Sequence, residues 1–177
     1  MSRGNQSYTT LRDTIAPHAR SRFPKIRIGD DVQAQHKFLV DQLGLCELAL
    51  VIGGSMGGQQ VYEWAVRYPD MVKRAAIIAA TARTSHHQVN FVDTLREALT
   101  SDPAFNQGRY ERASDVGVGL DRMAKIVASL GWSAEFYQKE RWRIILGMSS
   151  ITDFMNGVMK AYFQPMDPNV LLAQMWK

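Results

Sequence analysis

Two short runs of consecutive apolar residues lie on either side of a glycine-rich turn and an amphipathic segment. The runs occupy residues 48–52 and residues 75–80. Uninterrupted apolar runs of this length are typical of strands in a parallel sheet that is covered on both faces. The segment between them carries Val61, Trp64 and Ala65 at helical spacing. The pattern therefore predicts a strand, a glycine turn, a helix and a second, parallel strand.

Upstream of this unit the pattern predicts one more strand and one more helix. In residues 23–28 two isoleucines alternate with charged residues, which is typical of a short half-buried strand. The adjacent carboxylates at 30–31 favour a helix start, so a helix is predicted over residues 32–43. Gly44 is suited to end that helix.

From residue 85 onward apolar residues recur only at helical spacing, and no further strand is predicted. Residues that favour helix starts stand ahead of the apolar stripes at Ser114, Ser133, Ser150 and Pro168. The helix after Ser133 is predicted to reach Leu146, and the last helix to continue to Lys177. The predicted fold class is therefore α/β, with a partial parallel sheet in residues 1–83 and a helical region in residues 84–177.

Composition narrows the class of protein. The chain has 177 residues with 46% hydrophobic and 21% charged residues, as in a packed globular domain. Its net charge of +4 comes from residues 1–37, which hold seven basic and three acidic residues (7 − 3 = +4). These basic residues are scattered, so no nucleic-acid partner is expected. No apolar stretch reaches the ~20 residues of a membrane span. The polar N-terminus does not resemble a secretory signal, which favours a cytoplasmic location. Because Cys46 is the single cysteine, no internal disulfide and no cysteine-rich metal site are expected.

The candidate chemistry lies in the glycine turn, where residues 53–57 satisfy the motif G-x-S-x-G. The motif follows a predicted strand and opens a predicted helix, the arrangement in which such a serine acts as a nucleophile. Ser55 is therefore the predicted nucleophile, and the backbone N–H of Met56 a predicted donor to the oxyanion. A turn that only packs the helix on the sheet is the alternative. A phosphate cradle is disfavoured because the chain has no G-x-x-x-x-G-K-[ST] motif.

A serine nucleophile needs a histidine base that is oriented by a carboxylate. In enzymes with this elbow the order along the chain is serine, then acid, then histidine. The histidines here are His18, His36, His86 and His87, and none follows residue 87. We therefore expect the catalytic acid and histidine to lie outside this chain, and His86 and His87 to be exposed residues of a loop or of a helix start.

Further segments carry a resemblance to a known family, namely residues 23–28, 34–36, 48–58, 63–70, 79–83 and 98–105. Together they resemble the homoserine O-acetyltransferase family of α/β-hydrolases. The similarity implies an α/β-hydrolase fold with a helical lid over residues 84–177. It also implies transfer of an acyl group from acyl-CoA, as cosubstrate, to a small alcohol through a Ser55 acyl-enzyme, a step of methionine biosynthesis. A hydrolase-like branch of the family is more similar at residues 81–87, 131–132 and 136–137.

The resemblance also implies that core strands should precede residue 1 and follow residue 177, so the chain looks like a fragment of such an enzyme. Two alternatives stay open: a serine esterase on the same fold, and an incomplete fragment with an interaction role only. A small alcohol or ester is the expected substrate, with no bound cofactor and no membrane partner. Contact through the helical region is expected in a homodimer.

Overall fold

The computed structural model describes residues 22–177. These residues form two compact units. The strand unit comprises Lys25–Val89 with Trp176–Lys177, and the helical unit contains Asn90–Met175. The predicted domain boundary after residue 83 stays a prediction. The elements of the strand unit are α1 (Ile28–Asp41), β1 (Val51–Gly54), α2 (Met56–Arg67) and β2 (Ala75–Ile78), and α3 (His86–Thr100) runs across the sequence boundary between the units.

The predicted parallel strand pair is confirmed. β1 and β2 pair in parallel, with Val51 opposite Ala75 and Gly54 opposite Ile78. An isolated parallel bridge between Leu48 and Val72 precedes the ladder. Helix α2 lies between the strands in sequence and buries Val61, so the strand–turn–helix–strand unit forms as the apolar pattern predicts.

The predicted strand over residues 23–28 is wrong, because Ile28 already begins α1. The first turn of this helix is closed by Asp30, whose Oδ2 accepts a hydrogen bond of 2.8 Å from the Arg27 N–H. A local carboxylate thus satisfies a backbone donor that the helix would otherwise leave unpaired, and this outweighs the alternating pattern. Helix α1 therefore starts four residues before its predicted start, and Gly44 follows its end with φ of +64°.

The prediction that both faces of the sheet are covered is wrong for the described residues. One face packs on α2, where Ile77 lies beside Gly58. The opposite face carries Leu50, Ile52 and Ile78, whose side chains are 52%, 61% and 56% exposed. The sequence of a strand indicates that one of its faces is apolar, but it does not indicate which segment covers that face.

Within residues 90–175 the helical unit contains nine helical elements besides most of α3. Its core includes the fully buried side chains of Leu99, Leu120, Met123 and Phe154. The elements are two 3₁₀ turns (Pro103–Gly108 and Ala113–Val116), α4 (Gly117–Gly131), α5 (Ala134–Gln138), α6 (Arg141–Leu146), α7 (Ile151–Phe154), a π-helical segment (Met155–Lys160), α8 (Ala161–Phe163) and α9 (Pro168–Met175).

Three of the predicted helix starts are confirmed. Ser133 Oγ accepts from the Phe136 N–H at 3.2 Å, and Ser150 Oγ from the Asp153 N–H at 3.0 Å. Pro168 is the first residue of α9. At Ser133 and Ser150 a hydroxyl oxygen accepts a backbone N–H of the first turn, and at Pro168 the proline ring presets a helical φ. Each helix start is therefore specified by residues of its own first turn.

Three finer predictions in this unit are wrong. Ser114 lies inside the second 3₁₀ turn instead of capping a helix. The helix after Ser133 is broken at Glu140, which adopts φ of +45°. The last helix ends at Met175.

A buried carboxylate joins the end of α3 to the start of α4. Asp102 is 4% exposed, and its Oδ1 accepts from the Ala104 N–H at 3.0 Å. Its Oδ2 accepts from the Gly119 N–H at 2.8 Å. A Cβ on Gly119 would lie 2.9 Å from the Leu99 carbonyl oxygen, so glycine permits this close approach. The buried N–H of Gly119 and the part-buried N–H of Ala104 therefore both depend on one side chain.

Candidate active site

Ser55 occupies the single residue between β1 and α2, as the motif predicts. Its backbone adopts φ of 53° and ψ of −125°, a combination that costs a residue with a side chain about 1–3 kcal/mol. The Ser55 N–H donates to the Ile78 carbonyl at 2.9 Å, and the Ser55 carbonyl accepts from Gly58 and Gln59 at 2.9 and 3.2 Å. The residue itself is exposed. These backbone hydrogen bonds thus hold the exposed Ser55 on a strained turn.

Two glycines around Ser55 are required by close backbone approach. A Cβ on Gly53 would lie 2.3 Å from the Gly57 carbonyl oxygen. A Cβ on Gly58 would lie 2.6 Å from the Ala80 Cβ and 3.2 Å from Ile77 Cγ2. A Cβ on Gly57 would meet nothing within 4 Å. The strand and helix therefore meet closely at Gly53 and Gly58.

Met56 is the first residue of α2, so its N–H is one of the helix-start donors that have no intrahelical acceptor. The Ser55 carbonyl uses the N–H groups of Gly58 and Gln59. The positive end of the helix dipole lies at this turn and favours a developing oxyanion. The predicted oxyanion role of Met56 is compatible with this arrangement and stays a prediction.

The end of β2 contributes a feature that the sequence does not signal. Ala79 has φ of +50°, a value that favours glycine, immediately after the Ile78 carbonyl that holds the Ser55 N–H. Alanine carries no sequence preference for this conformation. Only the tertiary structure shows that the β2 end turns sharply beside the serine turn.

The described histidines do not form a relay with Ser55. His36 stacks on Tyr68 with ring centroids 3.8 Å apart and an interplanar angle of 4°, and it lies 6.0 Å from Trp64. His86 and His87 are the exposed first residues of α3, as predicted. Within residues 22–177 no histidine makes a hydrogen bond or ion pair with a carboxylate or with Ser55. His18 lies outside the described residues.

The family of the chain follows from its similarity to known proteins. The sequence profile of the alpha/beta hydrolase fold matches residues 9–165. The chain belongs to this family. The α/β-hydrolase fold agrees with the parallel strand pair and with the serine turn that joins β1 to α2.

The relatives of this α/β-hydrolase chain include esterases and acetyltransferases. An ethyl acetate hydrolase of Pseudomonas veronii is 52% identical over 174 residues, which are 98% of this chain and 50% of the relative. The crystal structure of the acetyl esterase MekB matches with a TM-score of 0.91 and 53% identity, over 94% of this chain and 48% of that chain. A homoserine O-acetyltransferase of Zymomonas mobilis is 43% identical over 76% of this chain and 35% of the relative.

These matches refine the predicted family. The α/β-hydrolase membership is confirmed, and the esterases match a larger share of the chain at higher identity than the homoserine O-acetyltransferase does. The chain spans about half the length of the two esterase relatives.

Among three polar residues that a carboxylate substrate could contact, Tyr110, Arg122 and Arg83, the first two have side-chain hydrogen-bond partners within the chain. The Tyr110 hydroxyl donates to Asp167 Oδ1 at 2.6 Å, and Arg122 Nη1 donates to Ser101 Oγ at 3.1 Å. Arg83 is exposed in the strand unit. These contacts give Tyr110 and Arg122 a structural role.

The described residues offer neither a metal-binding cluster nor a membrane-spanning helix. In the range 22–177 no group of three or more histidine, cysteine, aspartate or glutamate residues is placed to hold a metal ion. Over the same residues, none of the helices combines the length and apolar character that a membrane span requires.

Proposed function

We propose that this α/β-hydrolase chain carries the nucleophile of a serine esterase that cleaves small acyl esters. The observation that supports the proposal best is the exposed Ser55 in a strained turn between β1 and α2. The 52% identity to an ethyl acetate hydrolase supports an ester as the substrate. The sequence alone leaves a serine esterase as an alternative to acyl transfer. The higher identity and coverage of the esterase relative favour the esterase.

In the proposed reaction Ser55 Oγ attacks the ester carbonyl carbon while a general base takes the hydroxyl proton. The carbonyl oxygen becomes an oxyanion beside the Met56 N–H, where loss of one donor costs ~10²–10³ in rate. The C–O bond then breaks, the alcohol leaves with the proton, and an acyl group remains on Ser55. Water attacks this acyl-enzyme and releases a carboxylate. The base and its carboxylate partner are not assigned to residues of this chain.

Acyl transfer is a second candidate, supported by the homoserine O-acetyltransferase relative. The chemistry at Ser55 is the same, but acyl-CoA supplies the acyl group and a small alcohol replaces water in the second step. The two candidates therefore differ only in the donor and in what attacks the acyl-enzyme. The cytoplasmic location, the homodimer and the absence of a bound cofactor, of a membrane partner and of a nucleic-acid partner stay predictions.

A chimera tests the proposal without depending on the length of this chain. The 174 aligned residues replace their counterparts in the Pseudomonas veronii ethyl acetate hydrolase, and ethyl acetate hydrolysis is followed with and without homoserine and acetyl-CoA. We expect hydrolysis that does not need homoserine and that disappears in the Ser55→Ala chimera. Turnover that depends strictly on homoserine would favour the transferase, and turnover that persists in the Ser55→Ala chimera would refute the role of Ser55.

The remaining alternative, an interaction role without catalysis, is tested on the 177-residue chain itself. A fluorophosphonate probe labels an activated serine, and the Ser55→Ala chain is its matched control. A chain without its acid and histidine should label slowly. Rapid labelling confined to Ser55 would show that a base is present within the chain, against the sequence prediction.

A further inference from the structure

The helical unit has an open groove whose lining residues do not include the serine turn. Its volume is about 620 Å³, within the size range of small-molecule sites. One wall is α4, which contributes Lys125, Ala128 and Ser129. The other wall is the helix that begins at Ile151 and continues through the π-helical segment. All lining residues belong to the helical unit.

The floor of the groove is apolar. Ala128 is buried, and Met155 and the Tyr137 ring lie beside it. The Tyr137 hydroxyl donates to the Ala128 carbonyl at 2.5 Å, so this polar atom is satisfied within the wall. Burial raises the pKa of Tyr137, in keeping with an apolar environment. Ile151 extends the apolar surface and is 44% exposed.

The rim carries polar groups without partners. Among the described residues the Lys125 ammonium forms no ion pair, and the side chains of Thr152 and Asn156 form no hydrogen bond. Lys160 also lines the groove, but its Nζ lies 2.8 Å from Asp121 Oδ2. No lining residue is acidic. The uncompensated charge of the groove is therefore the Lys125 ammonium, with two neutral side chains available on the facing wall.

The backbone of the facing wall is unusual. Met155–Lys160 is a six-residue π-helical segment, a conformation found in well under 1% of residues and often at functional sites. It supplies Met155 to the floor, and Asn156 and Lys160 to the rim. The irregular segment thus coincides with the groove.

We propose that this groove binds an aliphatic carboxylate, with the carboxylate at Lys125, Thr152 and Asn156 and the hydrocarbon chain along Ala128, Met155 and Tyr137. The ammonium and the two neutral donors match a carboxylate, and the apolar floor matches the chain. A neutral ligand would leave the Lys125 charge unused, and acetate would leave the floor uncovered. This proposal does not rest on the proposed esterase function.

The test is calorimetric titration of the 177-residue chain with octanoate, with octanol and acetate as ligand controls. Octanoate should bind more tightly than either control, and added salt should weaken it. Lys125→Gln should raise its Kd about two- to fivefold, the size of an exposed charge pair. Lys139→Gln is the matched control, because Lys139 is exposed in the same unit, pairs with Glu135 and does not line the groove.

A second variant moves the affinity in the opposite direction. Asp121→Asn is isosteric and removes the charge that neutralises Lys160, so octanoate should bind about two- to fivefold more tightly. Circular dichroism confirms that each variant is folded. Equal binding of octanoate and octanol, no saturable binding at millimolar octanoate, or unchanged affinity in both Lys125→Gln and Asp121→Asn would overturn the proposal.

Discussion

The close approach of strand and helix at the serine turn makes a sharp prediction about two glycines of one motif. Gly53→Ala places a methyl group 2.3 Å from the Gly57 carbonyl oxygen and 2.9 Å from the Gly58 nitrogen. Both neighbours are backbone atoms, so no rotamer change relieves the clash. Gly57→Ala adds the same methyl group two residues after Ser55, where nothing lies within 4 Å. The two variants differ in contact but not in composition.

The expected magnitudes follow from these distances. Carbon contacts are favourable near 3.5–4.0 Å, so Gly53→Ala requires a shift of about 1 Å between β1 and α2. Overpacking of this kind costs about 1–3 kcal/mol. Gly57→Ala should be neutral or stabilise α2 by up to ~0.5–1 kcal/mol, because alanine is the better helix former. The free energies of unfolding of the two variants should therefore differ by about 2–3 kcal/mol.

Thermal unfolding followed by circular dichroism measures the difference. For a chain of this size 1 kcal/mol changes Tm by about 2–4 °C, so the two variants should differ by roughly 4–12 °C, with Gly53→Ala lower. Hydrogen exchange of the α2 amides locates the effect and should rise in Gly53→Ala only. Equal Tm values, or a larger loss in Gly57→Ala, would refute the packing explanation of the glycine motif.

Three further predictions concern single side chains. In urea denaturation the Ser55→Gly variant should have a free energy of unfolding about 1 kcal/mol higher than the Ser55→Ala variant, because only glycine adopts φ of 53° without steric strain. Equal stabilities of the two variants would exclude backbone strain at this position. Asp102→Ala leaves the buried Gly119 N–H without its acceptor and removes the acceptor of the part-buried Ala104 N–H, so it should cost about 1–3 kcal/mol in the same assay. A loss under about 0.5 kcal/mol would contradict its structural role. Hydrogen bonds from Lys139 and Arg141 lower the pKa of Glu135. Its stabilising effect is therefore complete above the unfolded pKa and is lost as pH falls through the lower folded value, and Glu135→Gln should remove that part of the acid dependence.

The sequence predicts those features whose causes are local. The strand pair follows from two apolar runs, and α2 follows from the spacing of Val61 and Trp64. The starts at Ser133 and Ser150 follow from hydroxyl groups that accept a backbone N–H three residues later. Each of these depends on residues within one turn or one strand, so a single segment contains the information.

The failed predictions depend on distant residues or on competing local bonds. Residues 23–28 alternate like a strand, but Asp30 closes a helical turn at Arg27 instead. The apolar side chains of Ile52 and Ile78 predict a covered face, yet the described residues leave it exposed. The spacing of apolar residues shows that a face of an element is apolar, but not which segment packs on it. Residue propensities for helix and strand do not include the effect of one specific hydrogen bond.

The same distinction explains why Ser55 could be found from sequence and its base could not. The sequence signature of the serine turn lies within residues 53–58, because Gly53 and Gly58 allow the close approach around Ser55 at φ of 53°. A histidine base and its acid are brought to a serine by the tertiary fold, and their sequence separation varies between folds. His36 illustrates the point, since it precedes Ser55 in sequence by 19 positions (55 − 36) and its ring stacks on Tyr68. Assignment of the nucleophile is therefore a local inference, whereas assignment of the base requires a measurement of Ser55 reactivity.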